Sequence, residues 1–460
     1  MTPAVPGGGY RMSNRFLPLL AAGLSLAATQ AVAQSTITER SVAAHEAFLA
    51  SDALQGRGSA TRDEAIAAAY VASEFQSYGL VPAPGMDGYL QRATIVREKL
   101  AGPATLTVGG AATAAPVVIA SSGKAVSGAL TVASSADAAK LPNAAVVLAS
   151  ARDLDPIEFI RGASSKDIKL LILRDSDSVR KVMGMIGAPR LPTHLDGTAP
   201  HDRPTIVTLP DAAVDALAAK AGAAVSLIVP TMQERAVTTN AIGYLKGSDP
   251  AAGTLLFSAH LDHLGVRPDG VIMHGANDDA SGTTAVLELA DALASGKQPR
   301  RSILFVCYGS EEIGEYGSTY FGEHPPVPLS QIVANVEFEM IGAQDPKLPT
   351  NTLMMTGFDR SNLGPALKAH GALVTGDPYP QEHFFERSDN YALALKGVVA
   401  HTVSGWAVTP TYHQPTDTYA NLNIPFMTNA IRSLVAPAEW LANSDFVPAW
   451  KPGGKPTADE

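Results

Sequence analysis

A single cysteine, Cys307, stands in a chain of 460 residues. One thiol closes no internal disulfide and builds neither a zinc ribbon nor a Cys-x-x-Cys redox pair, so a bound metal has to be held by histidine and carboxylate. Aromatic residues are few, at 6%, and basic residues are outnumbered, with 34 Lys and Arg against 44 Asp and Glu. The formal net charge is −10, and no Lys/Arg-rich run interrupts that balance. Nucleic-acid binding needs a basic footprint, so nucleic acid is excluded as a partner. Beyond the N-terminus no run of about 18 or more apolar residues offers a membrane span. His-Glu-x-x-His, Gly-x-Ser-x-Gly, the phosphate loop and Gly-x-Gly-x-x-Gly are also missing. Their absence leaves serine hydrolases and nucleotide enzymes without support. What is present in quantity is apolar: 46% of residues are hydrophobic and 17% charged, the balance of a packed core and not of a disordered chain.

The N-terminus reads as an export signal. Arg11 and Arg15 precede the apolar stretch 16–28, and Ala31-Val32-Ala33 is a small-x-small cleavage site. The expectation is an exported protein, periplasmic or secreted, with 1–33 removed and no stable membrane insertion afterwards. Residues 64–78 carry apolar residues at helical spacing, closed by Gly79 and Pro82. From 99 to 234 short strand-like runs recur (104–108, 117–120, 129–132, 145–148, 170–173, 205–209, 225–229), with helical patches at 156–161 and 212–221. After 235 strands and helices alternate: strand 255–259, helix 283–293, strands 303–308 and 333–340, helix 361–369, strand 398–403 and helix 425–442. Such alternation predicts a three-layer α/β/α sandwich on a largely parallel, mixed sheet. The expected division is therefore an α/β/α domain over 34–98 and 235–446, an inserted β-rich domain over 99–234, and a loose tail over 447–460.

In an open α/β sheet ligands bind beyond the carboxyl ends of the strands. The polar residues there form a series. Strand 255–259 runs into His260-Leu261-Asp262-His263, and Asn277-Asp278-Asp279 precedes the next helix. Strand 303–308 runs into Glu311-Glu312, strand 333–340 ends with Glu337 and Glu339, and His413 lies in a late loop. Imidazoles and carboxylates without cysteine suit zinc or a harder divalent ion. If the strand continues past His260, Asp262 shares its face and can orient the ring. Of Glu311 and Glu312 one can hold metal while the other carries protons; either Glu337 or Glu339 could be the ligand. His263, His274, His383 and His401 read as structural or rim residues.

Taken in order, these motifs resemble the co-catalytic zinc exopeptidases of metallopeptidase family twenty-eight. The matching segments are 258–263 (SAHLDH), 275–282 (GANDDASG), 309–314 (GSEEIG), 338–342 (FEMIG) and 413–418 (HQPTDT), with 48–52 and 55–57 similar to the family's N-terminal motif. The resemblance implies two zinc ions: His260 and Glu339 on one, Glu312 and His413 on the other, and Asp278 bridging. It makes Glu311 the general base, Asp262 the residue that orients His260, and Tyr412 a group polarising the substrate carbonyl. Arg387 and Asp389, in Arg-Ser-Asp, would line the substrate pocket. Two positions depart from the family: Glu339 stands where Asp is usual, and Asn390 where His is frequent. The implied activity is removal of N-terminal residues from peptide substrates, with 99–234 a protease-associated domain roofing the site. Alternatives on the same fold are a carboxypeptidase or dipeptidase, a glutaminyl cyclase, or a non-catalytic receptor-like ectodomain.

Overall fold

Strand Thr254–His260 is buried at every residue, as is its neighbour Ser302–Tyr308, the mark of strands covered on both faces. Successive side chains go to opposite cores. Leu255, Phe257, Ala259, Ile303, Phe305 and Cys307 enter one, and Leu256, Leu304, Val306 and Tyr308 the other. The first core is roofed by helices Glu39–Leu49, Arg62–Ser77, Ser281–Ala294, Leu363–Ala369 and Ile424–Asn443. Helices Tyr316–Glu323 and Asn390–Leu395 cover the other face. The result is the expected three-layer arrangement, in a computed structural model that describes Met1, residues 7–9 and residues 37–457 apart from 187, 188 and 201. The export pattern at 11–33 lies outside the described residues. Among those residues no helix is long and apolar enough to cross a membrane.

The sheet has nine strands, in the order Val374–Gly376, Leu353–Met355, Ala400–Ser404, Ile332–Glu339, Thr254–His260, Ser302–Tyr308, Thr231–Leu245, Leu90–Leu100, Thr193–Leu195. The four from Ala400–Ser404 to Ser302–Tyr308 run parallel. Thr254–His260 leads through helix Ser281–Ala294 to a strand on one side, and Ile332–Glu339 pairs on its other side. Its carboxyl end is therefore a topological switch point, where such sheets bind ligands.

A second sheet of eight strands is built wholly from residues 105–228. Its strands Val126–Ala133, Val146–Ala149, Leu170–Arg174 and Thr205–Leu209 are parallel neighbours. Three helices accompany them, Pro156–Ser164, Asp177–Ile186 and Asp211–Ala218, of which the middle one has no counterpart in the sequence reading. Thr193–Leu195 leaves this segment to edge the first sheet, against Ile95–Arg97. The tail expected to be loose is held as far as residue 457. The Trp450 ring lies 5.2 Å from that of His401 and 6.2 Å from that of Phe385, and its indole donates to the Gly397 carbonyl. An aromatic side chain with such a socket buries more surface than a free tail could.

Helix Glu39–Leu49 opens on a capping box, Thr38 and Ser41 exchanging side-chain bonds with each other's backbone. It also carries Glu46, which is fully buried. Burial pushes this carboxyl up to about 8, against the opposing pull of Thr284 and Arg57. The native state thus keeps a proton that the unfolded chain releases above about 4.5. The stability from this group is complete below that pH and is lost as pH rises toward 8. Glu46→Gln abolishes the loss, so thermal melts at pH 5, 6.5 and 8 show the variant gaining on the wild type at each step. A constant gap would remove Glu46 as the cause.

Candidate metal centre

His260 ends its strand, fully buried, with its Nε2 3.3 Å from Asp278 Oδ1 and 4.0 Å from Glu311 Oε2. His413 Nε2 lies 3.3 Å from Asp278 Oδ2 and 3.1 Å from Glu312 Oε2. Asp278 therefore stands between the two imidazoles, one carboxylate oxygen toward each. The donor atoms of His260, Asp278 and Glu339 lie within 4.8 Å of one another, and so do those of His263, Asp278 and Glu312. The extra methylene of Glu339 does not take it out of reach. Spacing left Glu337 and Glu339 equal. Glu337 is fully buried and accepts bonds from the Asn390 amide and the Thr402 hydroxyl, which leaves Glu339 as the one that faces the cluster.

The loops that present these groups are fixed by side-chain bonds to backbone. Asp417 accepts from the amides of Asn277 and Asp278 at 2.9 and 3.1 Å, holding the central carboxylate in place. Asp279 accepts from Gly282 and Met340, and so ties that loop to the end of strand Ile332–Glu339. Gly282 has to be glycine, since a Cβ there would meet the Phe338 carbonyl at 2.2 Å. Below lies a strap from the N-terminal motif. Arg57, fully buried, donates to the carbonyls of Leu49, Leu261, His274 and Gly275 at 2.6 to 2.9 Å. Ser59 donates to Asp262 at 2.6 Å. Glu64 accepts from Ala60, Thr239 and Ser310. The motif at 55–57 had pointed to this stretch without giving it a task.

Several expected roles change. His263, read as structural or rim, is fully buried inside the cluster, with its Nδ1 2.6 Å from Glu312 Oε1. It lies at the same strand end as His260, so the rule that gathered the other donors applied to it equally. Asp262 lies beside the His260 ring as expected, although the strand stops at His260. Its main-chain carbonyl is 3.2 Å from His260 Nδ1, its carboxylate 3.7 Å away. That carboxylate also accepts from Ser59 and from the amides of Glu311 and Glu312, so it fixes the glutamate pair. Asp389 is fully buried and offers a substrate no surface; burial pushes its carboxyl up to about 7. Arg387 does line the cleft, with Glu339, Phe384 and Tyr412. The Tyr412 ring stacks on His413 at 3.9 Å between centroids. His274, His383 and His401 stay outside: His401 bonds Ser361 and Thr356, and burial lowers it to about 4.

The electrostatics call for cations. Burial raises Glu311, Glu339 and Asp279 above the usual carboxylate range. Glu312 falls to about 2 although burial and Asp278 oppose it, because His413 and His263 adjoin it. His413 rises to about 11 against its own burial, driven by Glu312 and Asp278. Carboxylates this crowded hold protons on their imidazoles unless another positive charge takes that place. Asp278 Oδ2, Glu312 Oε1, His260 Nε2 and both ring nitrogens of His263 are buried without a hydrogen bond among the described residues. Oxygen and imidazole donors left in that state fit divalent metal ions. The 99–234 segment reaches the same place. Burial and Arg203 act against the charge of Arg190, while Glu312, Tyr412 and Glu311 favour it.

Comparison with known proteins agrees with this construction. Residues 240–436 match Peptidase family M28. The chain is 27% identical over 263 residues to a probable leucine aminopeptidase 2 of Aspergillus oryzae, half of each protein being covered. It is 31% identical over 118 residues to an aminopeptidase of Pseudomonas aeruginosa, covering 25% of this chain and 20% of that one. The chain spans at most about half the length of these curated relatives. Among solved structures, an aminopeptidase from Aneurinibacillus sp. strain AM-1 superposes with a TM-score of 0.58 at 19% identity, over 90% of this chain and 96% of that one. BSAP, a zinc aminopeptidase from Bacillus subtilis, does so with a TM-score of 0.58 at 18% identity, over 89% and 96%. At those identities the likeness is one of fold. Residues 240–436, which hold every metal-facing side chain described above, are the part of the chain that is similar to peptidase family M28.

Proposed function

We propose that the protein is a zinc-dependent aminopeptidase, hydrolysing the first peptide bond of peptides with a free N-terminus. The observation that carries this is the convergence of His260, Asp278, Glu339, Glu312 and His413 at the switch point, with Glu311 beside them and Tyr412 in the cleft wall. Zinc is the inferred ion because donors of this kind suit it and BSAP, which shares the fold, is a zinc aminopeptidase. Bound there, zinc would supply Lewis acidity toward the scissile carbonyl and lower the pKa of water toward about 7. The chain's residues do the rest. The Glu311 carboxylate takes the proton of the attacking water and delivers it to the departing amine. Asp262 holds the backbone of Glu311 and Glu312 in register for that transfer. Glu339 and its acidic neighbours favour a substrate end that carries a protonated amine. The pattern at 11–33 supports a place of action outside the cytoplasm.

The test uses one tripeptide in free and N-acetylated forms, each with and without a chelator. Release of the first residue from the free form alone, abolished by the chelator, is the expected result. Equal cleavage of the acetylated peptide, or release from its carboxyl end, overturns the aminopeptidase assignment.

A further inference from the structure

His263 has no place in the ligand set that the family resemblance supplies, yet the fold builds a seat for it. Its side chain is fully buried. Nδ1 is 2.6 Å from Glu312 Oε1 and 3.9 Å from Asp278 Oδ2. These are the two carboxylates that His413 Nε2 also faces, at 3.1 and 3.3 Å. The two rings meet edge to face, 5.7 Å between centroids. The backbone is clamped on both sides: the His263 amide donates to the Arg57 carbonyl, and its carbonyl accepts from the Ser59 amide. Gly275 leaves the room. With φ of +59° it adopts a left-handed conformation, and a Cβ there would stand 2.4 Å from His263 Cγ. Nε2 makes no hydrogen bond among the described residues, and Nδ1 faces only the two carboxylates. An imidazole nitrogen buried against two carboxylates that a second imidazole also faces is crowded with acceptors, and a cation shared among these groups balances their charge.

We propose that His263 is a metal ligand through Nδ1, which makes the two halves of the centre unequal. Asp278, Glu312, His263 and His413 form a closed four-donor site, whereas His260, Asp278 and Glu339 supply three donors and leave a position open. Sites with four protein donors hold zinc structurally, and sites with three keep a coordination position for water or substrate. The closed site therefore fills first and releases its ion last. This rests on the metal-binding part of the proposed function and is independent of its substrate.

The experiment loads the metal-free full chain with one equivalent of zinc and counts imidazoles per zinc by X-ray absorption. Two per zinc is expected for the wild type and one for His263→Ala. In competition with a chromophoric chelator, His263→Ala weakens the tighter binding constant by more than ~100-fold, beyond the 10–100-fold typical when only an outer hydrogen-bond partner is lost. One imidazole per zinc in the wild type overturns the proposal. That result means either that His260 loads first or that His263 only donates to Glu312. Equal affinity in the variant overturns it too. The wild-type count needs no variant to fold. If the chain binds zinc as stated but releases no amino acid from the tripeptide, the function falls and this assignment stands.

Discussion

Glu311→Gln lowers kcat by about 10²–10⁴-fold and leaves the metal content unchanged. The amide keeps the size of the side chain and removes its capacity to take a proton, so it separates proton transfer from metal binding. The geometry explains why the two come apart. Glu311 Oε2 is 4.0 Å from His260 Nε2, at the edge of the donor cluster, whereas Glu312 is in contact with both His263 and His413. Asp262 anchors both glutamate amides, so the loop keeps its path when the Glu311 head group changes. Elemental analysis beside steady-state kinetics checks the result. More than about one per cent of wild-type kcat with metal still bound sinks the assignment of Glu311 as base.

Arg57→Met costs at least ~3 kcal/mol of stability and weakens metal binding about 10–100-fold. The guanidinium is fully buried and satisfies four carbonyls, two of them in the segment that leads into Asp278 and one beside Asp262. Methionine replaces the apolar stem but leaves all four acceptors without a donor. The relief of burying a charge offsets part of that loss, so the net cost stays below the sum for four unsatisfied carbonyls. Arg57→Lys recovers little, since a single ammonium cannot reproduce a fork that reaches four carbonyls in different directions. Melting curves with and without zinc, together with chelator competition, measure both effects. Unchanged zinc affinity in a destabilised Arg57→Met would reduce the strap to a purely structural element.

The sheet that carries the centre was readable because its central strands are continuous apolar runs ending in polar residues. The predicted strand 303–308 falls within Ser302–Tyr308, and 255–259 within Thr254–His260. The donors at those ends followed from the same pattern. What escaped depends on where a chain turns. The strand stops two residues before Asp262, so its bonds to Ser59 and to the amides of Glu311 and Glu312 were not readable from strand alternation. His263 was set aside although it shares the strand end of His260. Asp389 looked like a pocket residue and is buried at the start of helix Asn390–Leu395. Arg57, Ser59 and Asp417 work across separations of some 140 to 220 residues, which no local pattern encodes.

Strands Leu90–Leu100 and Thr231–Leu245 pair along eleven residues, from Leu90 against Ala241 to Leu100 against Thr231. They are the two arms of a hairpin whose turn is an entire sheet with its own cores. If that turn is still unfolded, bringing Leu100 to Thr231 closes a loop of about 130 residues, and relative to a five-residue connection this costs roughly 3 kcal/mol in chain entropy. If it has already folded, its two ends arrive side by side and the cost vanishes. A route in which the middle of the sequence folds first and its outer arms zip next therefore avoids most of that closure cost.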